Sequence, residues 1–371
     1  MGRPWITHVQ IFDLDSDGLL DVLVCDAKRN TVSWIRQHPR GTFTEQIVAD
    51  KIPAPAHVRA VDIDNDGDND LLVAEMGAIL PSNEKTGKVI VLENTEDGFT
   101  KRTVLEKTAR VTDVSAGDLD GDGDVDLAVG QFGYHDGEIR WMENTGAWQY
   151  ESHTLLSLSG TIHTLVADMD GDGDLDIVAI VSQEWEELHL FENDGKGNFT
   201  DHVVHAVGNP DYGSSGISIA DLDRDGDPDI LYTNGDAFDY VPPGPRPWHG
   251  VQWLENSGEL TFKFHRIAQY NGAYSARAAD LDGDGDLDIA AVSTFNDWKS
   301  PNSASMMWYQ NDGNQHFTAH VLANRPTHLL ALDAGDLNGN GRADLVTGGM
   351  HCYPPYDRMS RVTLWSNRAR K

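Results

Sequence analysis

The sequence predicts an all-β fold, a seven-bladed β-propeller with a calcium loop in each blade. Three observations predict it. The pattern D-x-[DN]-x-[DN]-G-x-x-D occurs seven times, opening at Asp13, Asp62, Asp118, Asp168, Asp221, Asp280 and Asp336. The copies stand about fifty to sixty residues apart, which marks a repeat array rather than separate motifs. Around each copy run short stretches with the alternation of β-strands and no helical periodicity. In four repeats the third stretch holds a tryptophan in one register, at Trp34, Trp141, Trp253 and Trp308. Four short antiparallel strands repeated seven times are a propeller.

The loops come first. Carboxylates at alternate positions, a Gly where the backbone turns sharply and a final carboxylate are how a short loop wraps a hard cation in oxygen ligands. Calcium is the expected ion, with up to seven bound. The candidate ligands are Asp13, Asp15, Asp17 and Asp21; Asp62, Asp64, Asp66 and Asp70; Asp118, Asp120, Asp122 and Asp126; Asp168, Asp170, Asp172 and Asp176. The array continues with Asp221, Asp223, Asp225 and Asp229; Asp280, Asp282, Asp284 and Asp288; Asp336, Asn338, Asn340 and Asp344. The seventh-position carbonyl completes each set. In the seventh loop two Asn replace Asp, and Arg342 stands where the others mostly have Asp, so that site should be the weakest.

The second repeat shows the strands. His57 to Val61 alternates into the loop, and Asp70 to Ala74 leaves it. Lys88 to Asn94 is the third strand, a turn follows at Glu96-Asp97-Gly98, and Phe99 to Leu105 is the fourth. The tryptophans of the third strands are read as blade-to-blade packing rather than as an aromatic ligand platform. Six outer strands begin near Phe43, Phe99, Tyr150, Phe199, Phe262 and Phe317, whereas the seventh repeat shows three strands. Either residues 1–6 supply a short closing strand, or an upstream strand lies outside this sequence. Cys25 and Cys352 follow the second strands of repeats 1 and 7, so a disulfide across that seam is one reading and two free thiols the other.

The chain has 371 residues and a formal net charge of -32. No run of eighteen apolar residues is present, so no transmembrane helix is expected. The acidity gathers in the loops: 26 of their 28 ligand positions are Asp. It reads as metal loading, not as a sign of a nucleic-acid partner. Two cysteines are too few for a disulfide scaffold. The repeat predicts one domain over residues 1–371, part of a longer natural chain. Loops of this kind often need calcium above cytosolic levels. The expected location is therefore secreted or periplasmic, with the targeting segment outside this sequence.

The stretches "DLDGDGDVDLAVG" and "DMDGDGDLDIVAI" resemble the FG-GAP/VCBS repeat family, which includes integrin α-subunit propellers and bacterial secreted propellers. The resemblance implies a calcium loop between the first and second strands of each blade, with all the loops on one face. It implies function poorly, because propellers host adhesion, sugar binding and catalysis alike.

On the opposite face, the position five residues before each loop reads His8, His57, Asp113, His163, Gly216, Ser275 and Ala331. Two residues later stand Gln10, Arg59, Ser115, Leu165, Ser218, Arg277 and Asp333. The period of two turns both rows toward the central funnel. Three His and an Asp there could hold a transition metal such as Zn²⁺, could be solvated imidazoles bonded to loop carbonyls, or could serve as general acids and bases. The loops above carry His135, Trp185 and Trp248, with Tyr274 flanking them, the aromatic and polar mixture of a sugar site. Long loops that pack their own aromatics are the competing reading.

Two functions are carried. One is a carbohydrate-active protein, a lyase or dehydratase. It would have His57 or His163 as base, Tyr274 as acid and Arg59 or Arg277 stabilising an enolate, with a uronate or keto-sugar over His8, Asp113, His135, Trp185 and Trp248. Related-looking propellers include polysaccharide lyases and aldos-2-ulose dehydratase. The other is a non-catalytic adhesion or glycan/protein-binding module.

Overall fold

The computed structural model describes residues 2–80 and 82–368, and among them every regular element is a β-strand. The fold is an all-β, seven-bladed propeller. Each blade is one antiparallel sheet whose strands pair in chain order; among the described residues six have four strands and the seventh has three. In blade 2 the strands are Pro55–Val61, Asp70–Glu75, Gly87–Thr95 and Gly98–Thr108. The chain divides into two compact units: Met1–Ile47 with Ser215–Glu255 and Lys263–Lys371, and Val48–Ser214 with Asn256–Phe262. Apart from strand ends, the first holds blades 1, 5, 6 and 7 and the second holds blades 2, 3 and 4.

Burial falls from the second strand outward. Every residue of Asp21–Asp26, Asp70–Glu75 and Asp176–Val181 is buried, which explains their nearly unbroken apolar runs. The fourth strands face water and leave Ile47, Val203 and Val321 more than half exposed. Trp141, Trp253 and Trp308 pack between blades. Trp141 is 6% exposed and joins Ile177, Ala179 and Phe191 of blade 4 in one apolar cluster. Gly197, at φ +72, lies against its ring, where a Cβ would be 2.2 Å from Cη2.

The sixth loop position needs glycine for a stated reason. Gly18, Gly67, Gly123, Gly173, Gly226, Gly285 and Gly341 all have φ between +81 and +103, a region where a Cβ is strained. The chain reverses there and returns into the second strand.

Blades 7 and 1 lie in the same unit. Trp5 bridges Met350 at the end of the second strand of blade 7, and the His351 N–H donates to the Pro4 carbonyl at 3.0 Å. The Ile11 N–H donates to Asp333 Oδ2 at 2.7 Å, and Arg361 Nε donates to Asp26 at 3.0 Å. The start of the chain thus ties to the inner part of blade 7 and not to its outer strand, Val362–Trp365, which stays an edge among the described residues. Cys25 and Cys352 are both free thiols, so the disulfide reading is corrected: the seam is held by hydrogen bonds and ion pairs.

Candidate functional site

Two features carry chemistry, one at each end of the first strand in a blade. At one end lie the acidic loops. In blade 2, Asp62 accepts the backbone N–H groups of Asp66 and Gly67, at 3.1 and 2.9 Å, which curls the loop. The ninth-position Asp70 is buried and accepts from Ile63 N at 3.2 Å and Asn94 N at 2.7 Å, pinning the loop to the third strand. Asp126, Asp176 and Asp288 repeat this arrangement. Burial pushes Asp70, Asp126, Asp176 and Asp288 up to about 6. Carboxylate oxygens of Asp13, Asp15 and Asp17, of Asp62, Asp64 and Asp66, of Asp118, Asp120 and Asp122, and of Asp168, Asp170 and Asp176 converge within 4.8 Å in each group. That donor set fits a hard divalent cation. The loop of blade 1 also receives Arg36, whose Nη2 is 2.5 Å from Asp15. The loop of blade 7 does not fit, because the Asn338 side-chain amide lies 2.7 and 2.8 Å from the two oxygens of Asp344.

At the other end of the first strands a β-bulge precedes the polar row. The register shifts between Pro55 and His57 in blade 2 and between Thr161 and His163 in blade 4, with a matching shift in blade 3. A bulge re-aims the side chain beside it. Here it brings His57, Asp113 and His163 together within the second unit.

Asp113 is wholly buried at the centre. His57 Nδ1 lies 3.0 Å from its Oδ1, and His163 Nδ1 lies 3.2 Å from its Oδ2. The imidazole rings meet edge to face at 4.8 Å. Arg59 Nη2 donates to both carboxylate oxygens, and Arg59 Nε donates to the Val114 carbonyl at 3.0 Å. The N–H groups of Val114 and Thr164 add two more bonds to Asp113. Burial opposes charge on Asp113, but Arg59, His57 and His163 outweigh it and hold the carboxyl well below the usual range. Burial pushes His57 down to about 4, against the pull of Asp113. An ionised carboxylate only accepts, so each Nδ1 facing it carries the proton. Each Nε2 is then the basic nitrogen.

The other predicted residues are placed as follows. His135 is exposed beside Tyr134, and Trp185 is 42% exposed. Both belong to the second unit, with His57, Arg59, Asp113 and His163. His8, Trp248, Tyr274 and Arg277 belong to the first. His8 is buried. Arg277 Nε is 3.3 Å from Asp333, which burial pushes up despite that guanidinium. The Tyr274 ring meets Phe238 edge to face at 6.0 Å, and burial, with Asp236 and Asp239 adding to it, raises its hydroxyl well above 10. The Trp248 carbonyl accepts from Asn234 and Arg266, both at 3.0 Å.

A model of the FG-GAP-like repeat matches residues 13–73, 118–179, 168–232, 241–291 and 292–347. The chain belongs to the FG-GAP-like repeat family. No curated protein sequence matches it. The solved structures similar to it over nearly its whole length include the following two. The V. cholerae biofilm matrix protein Bap1 is 12% identical, over 99% of this chain and 88% of that one, with a TM-score of 0.49. Selenomethionine-substituted virginiamycin B lyase from Staphylococcus aureus is 14% identical, over 98% and 95%, with a TM-score of 0.56. At that identity the likeness to the lyase is one of fold alone.

These FG-GAP-like repeats also hold a constellation that the sequence reading passed over. His153, His265 and His320 lie on Trp141, Trp253 and Trp308, with ring centroids 4.6, 4.6 and 4.7 Å apart. Each imidazole reaches a third-strand partner, Glu143, Glu255 or Gln310. The signal was present as a His twelve residues after each of those tryptophans. In blade 5 this stack lines a groove of about 550 Å³ with Lys263, Arg266 and His316.

Proposed function

We propose that this chain is a calcium-stabilised, secreted propeller that takes a carbohydrate or sugar-derived ligand on the face opposite its acidic loops. The observation that supports this reading is the Asp113 centre. One buried carboxylate orients two imidazoles with Nδ1 protonated, so their Nε2 atoms are positioned as acceptors. A fold does not need such a centre, since blades 5, 6 and 7 carry Gly216, Ser275 and Ala331 at the matching place. Neutral at physiological pH, His57 suits proton abstraction α to a carboxylate or keto group of a uronate or keto-sugar. The proton goes to Nε2, the C–H electron pair forms the new double bond, and the leaving oxygen departs from the β-carbon. That is lyase or dehydratase chemistry. Arg59, committed to Asp113 and Val114, acts as a positioning residue. A transition metal such as Zn²⁺ would find two imidazoles here, but Asp113 already serves Arg59 and both rings.

A non-catalytic glycan- or protein-binding module is the second reading. The commitment of Arg59 and the raised hydroxyl of Tyr274 favour it, because each leaves the elimination without a ready stabiliser or acid. A glycan array with wild type, His57→Ala and His163→Ala tests binding, and near-ultraviolet absorbance of a new conjugated double bond on uronate polymers tests elimination. Both variants should fold normally and lose binding or turnover. Full affinity and activity in both would sink the site.

A further inference from the structure

We infer that the blade 7 loop is closed by its own amide and takes no cation, so the calcium complement is at most six; this rests on the calcium reading of the other loops. In those six blades the ninth-position Asp accepts the N–H of the second loop residue: Leu14, Ile63, Leu119, Met169, Leu222 and Leu281, at 2.8 to 3.3 Å. Blade 7 is wound differently. The Leu337 N–H turns to the Gly335 carbonyl at 2.9 Å, and Asn338 N takes its place on Asp344 at 3.0 Å. That one-residue shift swings the Asn338 side chain inward. Its Nδ2 donates to both oxygens of Asp344 and lies 3.2 Å from the Asn367 carbonyl. Asn340 Nδ2 donates to the same carbonyl at 2.7 Å.

The amide therefore stands where a third-position carboxylate would face an ion. An N–H dipole with its positive end toward Asp344 performs the task of a cation, drawing the carboxylate and the end of the third strand together. The charge around it agrees. The other loops carry four Asp at their ligand positions; this one carries Asp336 and Asp344, with Arg342 at the seventh place. Little repulsion is left for an ion to relieve, and binding would first break the amide's bonds.

Native mass spectrometry of calcium-loaded protein, with hydrogen exchange in calcium and in EDTA, tests this. Wild type should hold no seventh ion. Exchange over residues 336–344 should change little on chelation, while the loops of blades 2 to 6 speed up by about tenfold or more. Asn338→Asp should lose the latch, gain an ion and make residues 336–344 sensitive to EDTA. A seventh ion in wild type, or a blade 7 response equal to the rest, overturns the latch alone. If no loop responds to EDTA, the calcium reading fails and the inference fails with it.

Discussion

The Nη2 atom of Arg59 lies 3.2 and 3.1 Å from the two oxygens of Asp113, and the carboxylate it holds is wholly buried. One guanidinium on the second blade thus keeps a charge inside the third. Asp113→Asn would set an amide N–H against Arg59 or a histidine Nδ1–H. We expect it to lower stability by about 3 kcal/mol or more, as breaking a buried pair does. His163→Ala truncates a partly exposed side chain and should melt close to wild type. Thermal melts of the two variants check this, and equal melts would show that Asp113 is not the organising charge.

Chelation should destabilise the protein sharply. Without an ion, the carboxylates of Asp62, Asp64 and Asp66 stand within 4.8 Å of one another, and their repulsion opposes the loop. The melting temperature in excess EDTA should fall well below that in calcium. An unchanged melt, with metal-free protein confirmed by elemental analysis, would refute the calcium assignment.

The seam of the first unit offers a separate test. Arg361 reaches Asp26 at 3.0 Å and Glu45 at 2.8 Å, and Asp26 is 1% exposed. Arg361→Ala should cost about 1–3 kcal/mol, because Asp26 loses its nearest cation. In wild type, hydrogen exchange within blade 7 should be fastest in the edge strand Val362–Trp365. Protection there equal to that of Asp344–Gly349 would mean that the edge is covered.

Glu186 gives a pH prediction. Its buried carboxyl, pushed up to about 7, accepts from Gly213 N at 3.1 Å and Ser214 N at 2.9 Å. A carboxyl raised in the folded state binds its proton more tightly there than in the unfolded chain. Its contribution is present near pH 4.5 and is lost as pH rises through about 7, at up to ~1.4 kcal/mol per pH unit. Burial lowers His57 and His249 to about 4 and His328 to about 3, so they act the other way, but identically in both proteins. Glu186→Gln should therefore gain melting temperature over wild type between pH 5 and pH 8. A difference independent of pH would contradict the shift.

The fold was legible because its determinants are local. The seven nonapeptides, the alternation of strands such as Asp70–Glu75 and the tryptophan register each lie within one repeat. Period and turn chemistry fix the strand, the loop and the need for Gly at the sixth position. That His57, Asp113 and His163 occupy matching places in their first strands was legible for the same reason, since a strand sends alternate residues to one side. The sequence also marked Asn338 and Arg342 as departures from the loop pattern.

Tertiary structure alone decided what those residues do to one another. His57, Asp113 and His163 come from three blades about fifty residues apart, and only packing of adjacent first strands makes Asp113 the shared partner of two imidazoles and Arg59. The same packing committed Arg59 and Arg277 to carboxylates, set Tyr274 edge to face against Phe238, and left Cys25 and Cys352 unpaired. Periodicity specifies which way a side chain points. Burial and the charges of neighbouring blades specify its protonation, its partner and the chemistry open to it, and these are fixed only when the repeats come together.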